Sequence, residues 1–191
     1  MARPSLRFTI CTFLVGLSTI CQAQPHLELA YSEVNPDWKP YANGSGLRVL
    51  GKLSLPKSLY LFGSYNTASL QTSGPELSRY KEATDWRIIG TGWAYPINES
   101  LRLQSGVSYQ GVDVQGGYQD GWAFHTGLKL TPLNWMFFEL DLAYLDLLVQ
   151  DISLEATLGI RLMDHAAITF RLHDHSDWDF TAYEAGVRLF F

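Results

Sequence analysis

Beyond residue 23 the chain has no cysteine, because its two, Cys11 and Cys21, both fall before that point. No disulfide can staple the remainder, and no thiol can serve it as nucleophile or metal ligand. Positive charge is scarce as well. Setting aside Arg3 and Arg7 leaves 12 of the 14 Lys and Arg against 19 Asp and Glu, a net charge of −7, which argues against a nucleic-acid partner. No later segment offers the ~20 consecutive apolar residues a membrane-spanning helix needs. Aromatic residues, in contrast, are plentiful, with Trp 6, Tyr 10 and Phe 10.

Arg3 and Arg7 precede the apolar run Phe8 to Ile20, and Cys21-Gln22-Ala23 supplies small side chains at cleavage offsets. This is the pattern of a secretory signal cut after Ala23, and the run is too short to anchor a helix across a bilayer. Cys21 also raises lipoprotein processing, but Ile20 is bulky where that signal wants a small residue. The expected division is a signal over 1–23 and one domain over 24–191, with no cofactor.

From Gln24 onward the hydrophobic period is 2, in ten segments of about ten residues each. Leu27, Leu29 and Tyr31 share a face in the first, as do Leu101, Leu103, Val107 and Tyr109 in the fifth. Tight turns are expected at Pro56-Lys57, Pro96 to Glu99, Pro132-Leu133-Asn134 and Asp164-His165. Longer or more polar loops are expected at Asn35 to Gly46, Gln71 to Ala83 and Asp113 to Gly121, and after the seventh and ninth segments. Short turns on one side with longer loops on the other mark an all-β, antiparallel, up-and-down transmembrane barrel. Ten strands fit best, and merging weak segments would give eight. A soluble sandwich or lipocalin-like barrel alternates too, but Trp122, Trp135, Tyr109, Tyr144 and Tyr183 cluster at segment ends, where interfacial girdles sit.

In the last segment Tyr183, Ala185, Val187, Leu189 and Phe191 share one face and Glu184, Gly186 and Arg188 the other. A barrel would set this strand between the first and ninth. Glu184-x-Gly186-x-x-Leu189-x-Phe191 resembles the assembly signal of Gram-negative outer-membrane barrels, and the whole chain resembles the small members of that group, the OmpA-type and opacity-like barrels. The resemblance implies a cell outer-membrane location, with lipid and lipopolysaccharide around the barrel. It also implies that the barrel-assembly machinery reads Phe191 and its neighbours. The group shares an architecture while its members differ in function.

The face opposite the apolar one carries Arg48, Lys52, Arg87, Arg102, Lys129, Arg161, Arg171 and Arg188, with Asp85, Glu139, Asp141, Glu155 and Glu184. Mixed signs in a narrow lumen suit an ion-pair plug, since an unpaired buried charge costs several kcal/mol. The expected protein is a monomeric, non-enzymatic barrel, structural or weakly pore-forming, whose outer loops touch envelope lipids or external partners. The alternative is a barrel-embedded enzyme acting on lipid A or phospholipid through His173, His175 and Ser176. On a strand His173 and His175 share a face, which could also offer a metal two imidazoles with Asp177 or Asp179, whereas Ser176 would point the other way.

Overall fold

The computed structural model describes residues 24–36, 41–72, 81–114, 117–147, 150–176 and 180–191. The expected signal segment, residues 1–23, lies outside the described residues. The strands are β1 (His26–Pro36), β2 (Tyr41–Ser54), β3 (Leu59–Thr72), β4 (Lys81–Pro96) and β5 (Leu101–Val114), followed by β6 (Gly117–Leu133), β7 (Met136–Asp146), β8 (Gln150–Met163), β9 (Ala166–His175) and β10 (Phe180–Phe190). Each is antiparallel to its sequence neighbours, and β1 pairs with β10 to close the barrel. The count is ten, as the period predicted, and β10 lies between β1 and β9. Short connections join β2–β3, β4–β5, β6–β7 and β8–β9 at one end of the barrel, where the Phe191 amide also donates to the Pro25 carbonyl at 3.2 Å.

At the other end the strands run further than the pattern suggested. Asn43 to Gly46 belongs to β2, β4 starts at Lys81, and β5 and β6 take up nearly all of Asp113 to Gly121. Gly and polar residues read as loop there because a strand beyond the hydrocarbon needs no apolar side chains, yet its backbone pairing can continue.

The barrel is inverted relative to a soluble one. Leu29, Leu47, Ile89, Phe124, Leu140, Ile152, Phe170 and Val187 stand exposed on the outside, while Glu28, Arg48, Arg171, Glu184 and Arg188 are buried within. Exposed apolar side chains all round a closed strand ladder fit hydrocarbon, which offers the backbone no hydrogen bonds of its own. The protein is therefore a membrane-spanning barrel, and the strands do the crossing: among the described residues no helix is long and apolar enough for it. Trp93, Tyr95 and Trp135 are exposed toward the turn end, and Tyr31, Tyr65, Trp122 and Tyr183 toward the loop end, the girdle positions of such a barrel.

Asp85 and Arg87 correct the reading of β4. Both belong to the outer face, paired at 3.8 Å, while Trp86 and Ile88 point inward. Sequence phasing failed here because Ile88 and Ile89 fall on opposite faces and Gly90 and Gly92 carry no face signal. Arg87 lies opposite Tyr65 on the loop-end half of β4, within reach of a headgroup layer.

Inside, the side chains stack in layers. An apolar cap of Trp86, Val112, Ala123, Ala143, Leu145 and Leu147 sits at the loop end. An aromatic floor of Phe137, Ala167 and Phe190 sits at the turn end, with Tyr60 and Ala94 beside it. The Phe137 and Tyr60 rings need glycine beneath them: a Cβ at Gly159 would overlap the Phe137 ring, and one at Gly92 would overlap Tyr60. The polar layer lies between cap and floor.

Candidate functional site

Seven of the lumen charges expected from sequence, joined by Glu28, form one continuous network. Lys129 Nζ donates to Glu139 at 2.7 Å, and Arg188 donates to Glu139 at 2.8 Å and Glu28 at 2.6 Å. Glu28 also accepts from Arg171 at 2.7 Å, and Arg171 reaches Glu184 at 2.6 Å and Glu155 at 2.9 Å. Arg48 ends the chain on Glu155 at 2.9 Å and Glu184 at 3.3 Å. Lys129, Arg48, Arg171 and Arg188 thus balance Glu28, Glu139, Glu155 and Glu184. Burial is tolerable only because every member is paired, since removing one partner strands a charge in a low-dielectric interior.

Glu28 is absent from the set read off the sequence, although its position between Leu27 and Leu29 marked the inward face. It is 1% exposed and bridges Arg171 and Arg188. Its importance arises from closure, because β1 meets those arginines only once β10 and β9 have come round beside it.

The other predicted charges lie around this network. Lys52 donates to Gln104 at 2.6 Å and sits 3.7 Å from the centre of the Tyr60 ring. Arg161 donates to Gln24 at 3.0 Å and lies over Phe190 at the turn end. Arg102 is in register with Lys129 across β5 and β6. Asp141 accepts from His125 rather than from an arginine. In the floor, Lys129 and Arg188 lie 4.8 and 4.9 Å from the Phe137 ring centre, a cation–π contact on a fully buried aromatic. Phe137 went unnoticed in the run Trp135 to Phe138, where four large apolar residues hide which one faces inward.

The wall formed by β3 to β6 is different. Among the described residues it carries no carboxylate in the polar layer, and it is built from Tyr60, Phe62, Ser64, Gln104, Ser108 and Gln110, with Lys129 and Arg102 toward the turn end. Trp86 Nε1 donates to Gln110 Oε1 at 3.0 Å, and Gln110 Nε2 donates to Ser108 Oγ at 3.2 Å. Ser108 Oγ is 2.7 Å from His125 Nε2, and His125 Nδ1 is 3.2 Å from Asp141 Oδ1. Between the two walls is a cavity of about 140 Å3, bordered by Lys52, Phe62, His125, Asp141, Glu155 and Arg188 among others. That is room for on the order of ten waters.

At the loop end His173 and His175 share the inward face with ring centres 4.4 Å apart, and His175 lies 4.8 Å from the Trp86 ring. Asp151 bonds His175 Nδ1 and also accepts from Ser176 Oγ at 3.3 Å. Ser176 therefore turns toward the same carboxylate as His175, against the expectation from alternation. Strand β9 ends at His175, so the period of 2 no longer governs the next residue. Asp177 and Asp179 lie outside the described residues. Among the described residues no three His, Cys, Asp or Glu side chains are placed to hold a metal.

In the terminal motif Glu184 and Gly186 face the lumen side, and Leu189 and Phe191 stand exposed outside. Gly186 lies opposite Ala30, where a Cβ would meet the Leu29 carbonyl at 2.7 Å, so β1 and β10 close tightly at this point.

No family model matches the chain, and no curated protein does. Among solved structures, an outer membrane channel from Pseudomonas putida F1 superposes with a TM-score of 0.58 at 6% identity, covering 100% of both chains. The KdgM porin in complex with disordered oligogalacturonate gives 0.48 at 12% identity, covering 87% of this chain and 99% of its own. The outer membrane protein Ail of Yersinia pestis gives 0.46 at 12% identity, covering 89% and 100%. At such identities the likeness is one of fold: the chain has the architecture of the small outer-membrane β-barrels.

Proposed function

We propose that this protein is an outer-membrane barrel whose lumen is closed at rest by its own side chains, giving it a structural role or that of a narrow conduit for water and small ions. One observation carries the reading: the eight-membered ion-pair network runs through the polar layer with every charge matched. An apolar cap and an aromatic floor lie on either side of it. Small barrels have interior space mainly for their own side chains. Solute passage would require breaking several buried ion pairs at once.

The outer-membrane location is supported by the apolar exterior and by the resemblance of Glu184, Gly186, Leu189 and Phe191 to the assembly signal. Glu184 would then serve twice, in recognition during assembly and afterwards as partner to Arg48 and Arg171. Lipid and lipopolysaccharide are the surroundings the exposed face suits, and the loop end is where external partners would bind.

Proteoliposome swelling tests the closed lumen. Vesicles carrying the refolded protein should swell in small sugars no faster than empty ones. Swelling at rates that fall off with sugar size would establish an open pore and end this reading.

A further inference from the structure

The outer face of the barrel is not evenly filled. A groove of about 610 Å3 crosses it between β6 and β10, lined by Leu140, Ala156, Leu158, Phe170, Leu172 and Tyr183 among others. Register explains the hollow: Ala156 stands directly opposite Leu140 on one side and Leu172 on the other, so a methyl group interrupts a row of leucines. The row runs on from Leu140 to Leu128 and from Leu172 to Tyr183. At ~4.8 Å between neighbouring strands, it spans about 19 Å. Tyr183 belongs to the loop-end girdle, whereas Leu128 lies well below the girdle's Trp122 on β6. With the strands tilted, the groove descends from headgroup level into the hydrocarbon, the course of an acyl chain hanging from its headgroup.

Every membrane lipid brings such chains, and hydrocarbon is as apolar as leucine, so the groove itself offers shape but no choice between lipids. The choice lies at its loop-end mouth. Next above Leu172 and Tyr183 on the outer face stand Asp174 and Thr181, where Thr181 Oγ1 donates to Asp174 Oδ1 at 2.8 Å. Asp174 is exposed, and so is Glu33, opposite Tyr183 on β1. Among the described residues of β6 to β10 and β1, no Lys or Arg side chain faces outward. Lys129, Arg171 and Arg188 lie in the ion-pair network, and Arg161 bonds Gln24 at the turn end. The mouth is therefore doubly negative, with the exposed Tyr183 hydroxyl as a donor beside it.

We propose that the groove seats one acyl chain of a phosphatidylethanolamine-type phospholipid, with its ammonium on Asp174 and Glu33 and its phosphate on the Tyr183 hydroxyl. A zwitterionic headgroup answers both features of this mouth, the carboxylates and the hydroxyl donor. Phosphatidylglycerol and the phosphates of lipid A bring negative charge alone, which the two carboxylates repel. Exposed ion pairs are weak singly, so the preference needs both carboxylates. The site rests on the barrel standing in a lipid bilayer and is independent of whether its lumen conducts.

The full chain, folded in detergent and checked by heat-modifiable gel mobility, is mixed with equal amounts of palmitoyl-oleoyl phosphatidylethanolamine and phosphatidylglycerol, with lipid A added in a parallel sample. Native mass spectrometry then counts the lipid that stays bound. Wild-type protein should retain one phosphatidylethanolamine about 5-fold over phosphatidylglycerol. Ala156→Phe fills the groove and should lose that lipid, whereas Ile152→Phe, at an exposed position of β8 outside the groove, should keep it. Asp174→Asn combined with Glu33→Gln should leave a lipid bound but bring the two phospholipids to parity. Glycerophosphoethanolamine, the headgroup without chains, should not displace it. Folded wild-type protein that holds both phospholipids equally, or lipid A in preference to either, overturns the proposal. So does folded Ala156→Phe that retains phosphatidylethanolamine at the wild-type level, and a dimer that Ala156→Phe dissolves would give the groove to a second copy of the chain instead.

Discussion

Two walls face each other across the lumen, and they are held by different physics. The wall of β7 to β10 with β1 and β2 carries Glu28, Arg48, Glu139, Glu155, Arg171, Glu184 and Arg188, and each of these seven touches at least one opposite charge. The wall of β3 to β6, apart from Lys129 and Arg102 toward the turn end, carries amide, hydroxyl, indole and imidazole groups in directed hydrogen bonds. His125 and Asp141 join them where β6 meets β7. A buried charge left alone costs several kcal/mol, whereas a lost neutral hydrogen bond costs about 1. The charged wall should therefore fail as a unit and the neutral wall piecemeal.

Arg188→Met tests this most severely. It strips Glu28 and Glu139 of one partner each, and the expected loss is about 3–5 kcal/mol, read as a lower urea midpoint for the barrel refolded in lipid vesicles. A loss under ~1 kcal/mol would mean that water compensates these carboxylates and that the network is not a coupled unit.

Gly159→Ala should come next. Its new methyl would meet the Phe137 ring, which already packs against Phe190, Lys129 and Arg188. An overpacked site of this kind costs about 1–3 kcal/mol, and Phe137→Leu in the same chain should restore part of it. Failure of that rescue would show that backbone strain at position 159, rather than the ring, carries the cost.

On the neutral wall Trp86→Phe removes the indole donor to Gln110 and keeps the aromatic body against His173 and His175. About 1 kcal/mol is expected. An effect as large as that of Arg188→Met would erase the distinction between the walls.

Deleting Phe191 should change folded stability least, because its side chain is exposed and β10 keeps its pairing from Phe180 to Phe190. The amount of protein reaching the membrane should nevertheless fall, and normal membrane levels would remove this residue from the assembly signal.

Much of this was legible in the sequence. The period of 2, the turn positions and the one-sided placement of apolar residues are local properties, and they specified ten strands and the setting of β10. Arg48, Lys129, Glu139, Glu155, Arg171, Glu184 and Arg188 could be placed inward strand by strand, because each alternates with apolar neighbours. What stayed hidden depends on registers between strands. Glu28 matters through arginines more than 140 positions later. Ser108, His125 and Asp141 meet through two diagonal contacts across Gly106 and Gly127, which no single strand's pattern encodes. Asp85 and Arg87 were misplaced where glycine and paired isoleucines erased the phase, and Ser176 where the strand ended.

Conductance across a planar bilayer tests the closed lumen most directly. Wild-type protein and Ser64→Ala, a change confined to the neutral wall, should show at most current steps far below those of a broken network. Arg171→Ala, which removes the hub between Glu28, Glu155 and Glu184, should open resolvable ones. Steps in the wild type as large as those of Arg171→Ala would contradict the account, because the ion pairs would then not be what closes the barrel.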